Sequence, residues 1–150
     1  MTPNKVILLV EDNSYDEELT LTAFRENKIK NDIVVARDGE EALDYMFGAG
    51  QYGGRNVSEL PQLILLDLKL PKVDGLDVLQ QIRADNRTRL VPIVILTSSK
   101  EQEDRLQGYS YGCNAYIRKP VDFERFADAV KTVGLFWTVY NESAYDFATK

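Results

Sequence analysis

Two short apolar runs end abruptly in acid, and this pattern constrains the chain more than any other. Residues 6–10 read Val-Ile-Leu-Leu-Val and are followed by Glu11 and Asp12. Residues 63–66 read Leu-Ile-Leu-Leu and are followed by Asp67. Runs of this length without polar alternation suit strands covered on both faces, the condition that parallel sheets impose. Residues 91–97 nearly repeat the form and end in Thr97, with Pro92 at the entry, where a missing N–H is tolerable. Residues 32–36 and 115–118 are two weaker candidates.

Helical periodicity fills the intervals. Residues 14–27 place Leu19, Ala23 and Phe24 on one face, and 40–47 contribute Ala42, Leu43, Met46 and Phe47. Residues 76–82 carry Leu76, Val78, Leu79 and Ile82, while 102–111 offer a thinner stripe through Leu106 and Tyr109. The last helix, 122–133, opens on the N-cap candidate Asp122 and carries Phe123, Phe126, Ala127 and Val130. Five strands alternating with five helices predict an open α/β sheet. At 150 residues the chain has the length of one ordinary domain. Its core is expected over about 5–133, with an aromatic extension over 134–150.

In such sheets ligands bind beyond the carboxyl ends of the strands. The residues there are Glu11 and Asp12, Asp67, Thr97 and Ser98, and Lys119 with Pro120. Taken singly, each has a plain reading: an acid pair closing a strand, a turn aspartate, a helix cap, a surface lysine. Four strand ends delivering three acids, two hydroxyls and a lysine to one edge argue for a site instead.

What the chain lacks narrows the chemistry. It contains no histidine, which removes His-based zinc sites and Ser-His or Cys-His catalysis. One cysteine, Cys113, excludes an internal disulfide and is expected to be an inert thiol. A net charge of −6 disfavours nucleic acid as a partner. No apolar run approaches the roughly 20 residues that span a bilayer, and the N-terminus has no cleavable-signal pattern, so residence in the cytoplasm is expected.

Three adjacent carboxylates need a compensating cation. Oxygen ligands suit a hard ion, and few carboxylates plus water suit Mg2+ better than calcium. Asp67 is then placed to attack a phosphoryl donor, with Lys119 as the neutralising amine and the Thr97 hydroxyl as a hydrogen-bond donor.

The motifs Val10-Glu11-Asp12, Leu66-Asp67, Leu70-Pro71-Lys72-Val73-Asp74-Gly75, Leu96-Thr97-Ser98 and Lys119-Pro120 resemble those of bacterial response-regulator receiver domains, in the same order and at matching spacing. The resemblance implies a flavodoxin-like (βα)5 fold, a doubly wound parallel five-stranded sheet of order 2-1-3-4-5. It implies that Asp67 accepts a phosphoryl group from a histidine kinase, the domain assisting its own phosphorylation and dephosphorylation without being an enzyme in its own right. Asp12 and Asp67 would hold Mg2+ directly, Glu11 mostly through water, with the Lys69 carbonyl as a further ligand. Ser98 and Lys119 would bind the phosphate, Thr97 and Tyr116 would act as the switch, and the Lys119–Pro120 bond would be cis. The insertion over 48–61 and the Phe136-Trp137 tail resemble the response regulators of cyanobacterial phytochromes, which implies a light-sensing kinase as partner. Lys69, two residues after the acceptor, occupies a position where it would alter dephosphorylation.

Phe126, Val130, Val133, Trp137 and Tyr140 fall at steps of four, three, four and three, an apolar seam of coiled-coil type. The first half of the stripe is also expected to pack against the sheet; with Phe136 these residues are the candidates for a homodimer surface, which Tyr145 and Phe147 would extend. Gly134 costs a helix roughly 1 kcal/mol relative to alanine and is a candidate helix end. Only residues 134–150 follow Val133, so no DNA-binding output module is expected and the product would be a changed surface. The rival reading is a receiver-like interaction module that works without phosphorylation, against which stands the intact acid–hydroxyl–lysine set.

Overall fold

Side chains alternate across the central strands and build a core on each side of one sheet. The computed structural model describes residues 5–120 and 122–145. The elements run β1 (Val6–Val10), α1 (Ser14–Glu26), β2 (Asp32–Ala36), α2 (Gly39–Phe47), β3 (Leu63–Leu66), α3 (Gly75–Ala84), β4 (Ile93–Thr97), α4 (Gln102–Ser110), β5 (Ala115–Arg118) and α5 (Phe123–Leu135). Leu8, Val10, Ile64, Leu66, Ile93 and Ile95 face α2 and α3, where Ala42, Met46, Val78, Leu79 and Ile82 meet them. Ile7, Leu9, Leu63, Leu65, Val94 and Leu96 face Ala23 and Phe24 of α1 and Phe126, Val130 and Val133 of α5.

All strands are parallel, in the order β2-β1-β3-β4-β5, as expected. The register decides where the functional residues go. Val10 pairs with Leu66, Leu66 with Ile95, and Thr97 with Arg118, so four carboxyl ends finish nearly level. The Asp67 N–H donates to the Val10 carbonyl at 3.1 Å, and the Lys119 N–H to the Thr97 carbonyl at 2.7 Å. No described helix is long and apolar enough to cross a membrane.

Three expectations are corrected. The Lys119–Pro120 peptide bond, expected cis, is trans, and no cis bond occurs among the described residues. Trans is the lower state of an X–Pro bond by roughly 0.5–1 kcal/mol. Phe126, Val130 and Val133 are not available to a dimer, because the domain's own core buries them at 3%, 1% and 8% exposure. A stripe at steps of three and four serves equally well as the inner face of a helix packed on a sheet.

Gly134 does not end α5. The helix runs on through Leu135 into a wider turn, Phe136–Tyr140, where the Asn141 N–H donates to the Phe136 carbonyl five residues back. Packing explains the glycine: a Cβ there would lie 2.6 Å from Ile29 Cδ1 and 2.7 Å from Phe24 Cε1, so its absence lets α5 close onto α1.

The tail then changes sides of the sheet. Trp137 packs against the α1/α5 core, whereas Tyr145 packs against the α2/α3 core. On the way the Thr138 carbonyl accepts from Gln62 Nε2 at 3.2 Å. The Tyr145 hydroxyl accepts from the Leu90 N–H at 3.0 Å and donates to the Arg87 carbonyl at 3.3 Å. Phe147 lies outside the described residues. In the insertion, Arg55 donates to the carbonyls of Tyr45 and Glu59 at 2.6 and 2.8 Å, and its guanidinium sits 4.0 Å from the Tyr45 ring centroid.

Candidate functional site

Lys119 leaves the end of β5 and inserts its ammonium among carboxylates from three other elements. Nζ donates to Glu11 Oε1 at 2.7 Å, to Asp16 Oδ2 at 2.8 Å and to Asp67 Oδ2 at 3.1 Å. An ammonium has three donors, and all three are used. Completeness matters because the side chains are largely out of water: 8% exposed for Lys119, 4% for Glu11 and 6% for Asp67. Charges buried to this degree persist only when fully paired. Burial alone would push the Lys119 pKa down, but the charge of Asp67 and the bonds to Asp16 and Glu11 carry it above its ordinary value. Burial pushes the Glu11 carboxyl up to about 7, with Lys119 pulling against it and Asp67 adding to it.

Glu11, Asp12 and Asp67 each offer an oxygen, and these atoms lie within 4.8 Å of one another, with Glu11 and Asp67 buried and Asp12 exposed. A donor set made only of carboxylate oxygens fits a hard divalent cation. Of Lys69, the N–H reaches Asp67 Oδ1 at 3.4 Å while the side chain turns away to Asp104 on α4.

Thr97 is fully buried at the end of β4, and its Oγ1 accepts the Ser99 N–H at 3.3 Å. Ser98 and Lys119 line a concavity with Lys100, Arg118 and Arg125, a basic mouth on an otherwise acidic chain. Tyr116 lies on β5 beneath α4, and its hydroxyl is buried without a hydrogen-bond partner among the described residues. Burial pushes its phenol up; the Ser99 hydroxyl nearby works against this, but donates its own hydrogen bond to Asp104 at 2.6 Å.

The structure therefore brings Glu11, Asp12, Asp67 and Lys119 into one cluster, with Thr97 and Ser98 at the next strand end. Phe136, Trp137 and Tyr140 belong to the C-terminal turn and have no part in it. Sequence reasoning passed over Asp16 and Asp104. The signal for Asp16 was its place four residues after Asp12, in the first turn of the helix that leaves the site.

Residues 7–131 match the family model for the response regulator receiver domain. The chain belongs to that family. Among curated relatives, the probable methanogenesis regulatory protein FilR2 of Methanothrix harundinacea (strain 6Ac) is 41% identical over 92% of this chain and 86% of its own length. Response regulator Rcp1 of Synechocystis sp. (strain ATCC 27184 / PCC 6803 / Kazusa) is 35% identical over 90% of each. The solved Mn2+-bound form of Rcp1 superposes with a TM-score of 0.87 at 32% identity, covering 94% of this chain and 99% of that one. The phosphorylated cyanobacterial phytochrome response regulator RcpA superposes with a TM-score of 0.88 at 34% identity, covering 95% of this chain and all of that one. The receiver identity, expected from the motifs, and the likeness to cyanobacterial phytochrome response regulators, expected from the insertion over 48–61 and the Phe136-Trp137 tail, are borne out. Receiver domains bind a divalent metal, and the acidic cluster fits one.

Proposed function

We propose that this receiver accepts a phosphoryl group on Asp67 from a sensor histidine kinase, in a Mg2+-dependent phosphorelay. The observation that carries the reading is the buried Lys119 ammonium bonded to Asp67 within the acid cluster. Glu11, Asp12 and Asp67, with the Lys69 carbonyl, would hold the cation. When bound, it supplies positive charge against the oxygens of the transferring group.

The chain's own residues do the rest. A carboxylate oxygen of Asp67 forms the new O–P bond as the P–N bond of a phosphohistidine breaks, the electron pair leaving with the imidazole. Because these 150 residues contain no histidine, that imidazole comes from outside them. Lys119 neutralises charge on the phosphoryl oxygens, and Thr97 and Ser98 donate hydrogen bonds to them. The domain acts as an acceptor that assists its own phosphorylation and dephosphorylation rather than as a turnover enzyme, and it works in the cytoplasm.

The likeness to RcpA supports a phytochrome as the kinase. An aspartyl phosphate adds about −1.5 to −2 charges, by analogy with other phosphorylated side chains, at the strand end next to Thr97 and Tyr116. That charge biases α4 and the C-terminal face, where Phe136, Val139 and Tyr140 stay exposed at 48%, 63% and 74%. Homodimerisation through this reduced aromatic patch is the proposed output. The test is incubation with Mg2+ and a small phosphodonor, read by intact mass. The expected result is one phosphoryl adduct on the wild type and none on Asp67→Asn. Equal adducts on both proteins overturn the acceptor assignment. No adduct on either with the small donor, and none with a phosphorylated histidine kinase, favours a module that works without phosphorylation.

A further inference from the structure

Among the described residues, Asp16 is the one carboxylate at the site that binds Lys119 without belonging to the three-acid cluster. Its main chain is pinned on both sides: the Asp16 N–H donates to the cap residue Asn13 at 3.0 Å, and its carbonyl accepts the Thr20 hydroxyl at 2.8 Å. Its carboxylate hangs from the first turn of α1 and reaches Lys119 at 2.8 Å. The other two partners of the ammonium, Glu11 and Asp67, are both members of the cluster.

A divalent cation and an ammonium compete for the same carboxylate oxygens and repel each other. When the cation draws on Glu11 and Asp67, the lysine loses much of what holds it. A side chain on a flexible four-carbon stem would then turn to solvent. We propose that Asp16 is a positioning residue that keeps the Lys119 ammonium beside Asp67 once a divalent cation engages the other two carboxylates. Its carboxylate stands outside the cation's ligand set, so its attraction for Lys119 survives loading of the site. The inference rests on the metal-dependent acceptor reading, but addresses where a lysine stays rather than whether phosphate is transferred.

The experiment is competitive acylation of lysines with an N-hydroxysuccinimide acetate, mapped by peptide mass, in excess Mg2+ and in chelator. In the wild type, Lys119 stays protected in both conditions. In Asp16→Asn it stays protected in chelator, where Glu11 and Asp67 still hold it, and becomes several-fold more reactive in Mg2+. Asp16→Glu restores protection. The reactivity of Lys72, which pairs with Asp38 and Glu40, and of Lys131 in α5 stays unchanged in all three proteins and separates this effect from unfolding. Equal protection of Lys119 in the Mg2+-loaded wild type and Asp16→Asn overturns the proposal, and so does exposure of Lys119 in the loaded wild type. Failure of Asp67 to become phosphorylated, with this labelling pattern intact, removes the acceptor reading and leaves Asp16 as the anchor of Lys119.

Discussion

The Lys69 ammonium stands 3.3 Å from the Asp104 carboxylate, tying the loop behind Asp67 to the first turn of α4. The same oxygen, Oδ2, accepts the Ser99 hydroxyl at 2.6 Å, so Asp104 joins three segments around the phosphoacceptor edge. Asp104→Asn is expected to lower unfolding stability by about 1.5 kcal/mol, the lower end of the range for a hydrogen bond to a charged group, since the amide oxygen still accepts. Lys69→Ala is expected to cost less than about 1 kcal/mol, because its side chain is 57% exposed and its ion pair is screened. Urea denaturation of the two variants checks the ranking, and a larger loss for Lys69→Ala would reverse the assignment of the main partner.

Acid should expose the same contact. The Ser99 hydrogen bond first, and Lys69 with it, hold the Asp104 carboxyl below the ordinary carboxylate range against the opposing effect of burial. A group whose folded pKa is depressed contributes stability above its unfolded value, and that contribution is lost as pH falls through the folded value. The stability difference between the wild type and Asp104→Asn is therefore expected to hold constant above about pH 5 and to shrink as pH drops below about 4. Urea midpoints measured across that window test it; a difference that grows on acidification has the wrong sign.

Tyr116 carries a buried hydroxyl with no partner among the described residues, while the neighbouring Ser99 hydroxyl is committed to Asp104. An unsatisfied buried hydroxyl costs about 1–3 kcal/mol. Tyr116→Phe is therefore expected to raise the stability of the unphosphorylated protein by about 1 kcal/mol. It should leave the rate of Asp67 modification unchanged, since the side-chain hydrogen bonds of Asp67 and Lys119 run to Lys69, Glu11, Asp16 and each other rather than to Tyr116. Denaturation and intact-mass time courses measure the two quantities. A destabilised Tyr116→Phe would mean that the hydroxyl has a bond to lose.

How much of this was legible in the sequence depended on whether one signal decided each residue. β1, β3 and β4 stood out because strands covered on both faces must be apolar throughout, and the acids and hydroxyls at their ends were visible by contrast, whereas β5, which delivers Lys119, was a weaker candidate. The strand order came from the receiver motifs, since no periodicity encodes which strands are neighbours. Asp16 and Asp104 stayed hidden because acids in the first turn of a helix are ordinary partners of its dipole. The seam through Phe126, Val130 and Val133 stayed ambiguous for a related reason: its spacing is the same whether the face meets a second chain or the chain's own sheet, and it meets the sheet. Tyr145 gave no local sign of crossing to the other side, because its partners, Leu90 and Arg87, are distant in sequence.

Gly134 sets two local rules against each other, so substitution there discriminates between them. Helix propensity alone says that Gly134→Ala should stabilise α5 by roughly 1 kcal/mol. Packing says the reverse, because the new methyl would lie 2.7 Å from Phe24 Cε1, in a ring that is 1% exposed and fixed in the core. Ile29 Cδ1, at 2.6 Å, is the end of a flexible side chain and can move aside; the Phe24 ring cannot do so without disturbing its neighbours. Overpacking of this kind costs about 1–3 kcal/mol. Gly134→Ala is therefore expected to destabilise the domain by about 1 kcal/mol net, and Gly134→Val by more. Pairing Gly134→Ala with Phe24→Leu should recover part of the loss, since the two changes share one contact and will not be additive. Urea denaturation of the single and double variants measures that coupling, and a Gly134→Ala protein more stable than the wild type would show that α1 and α5 pack less closely than these distances require.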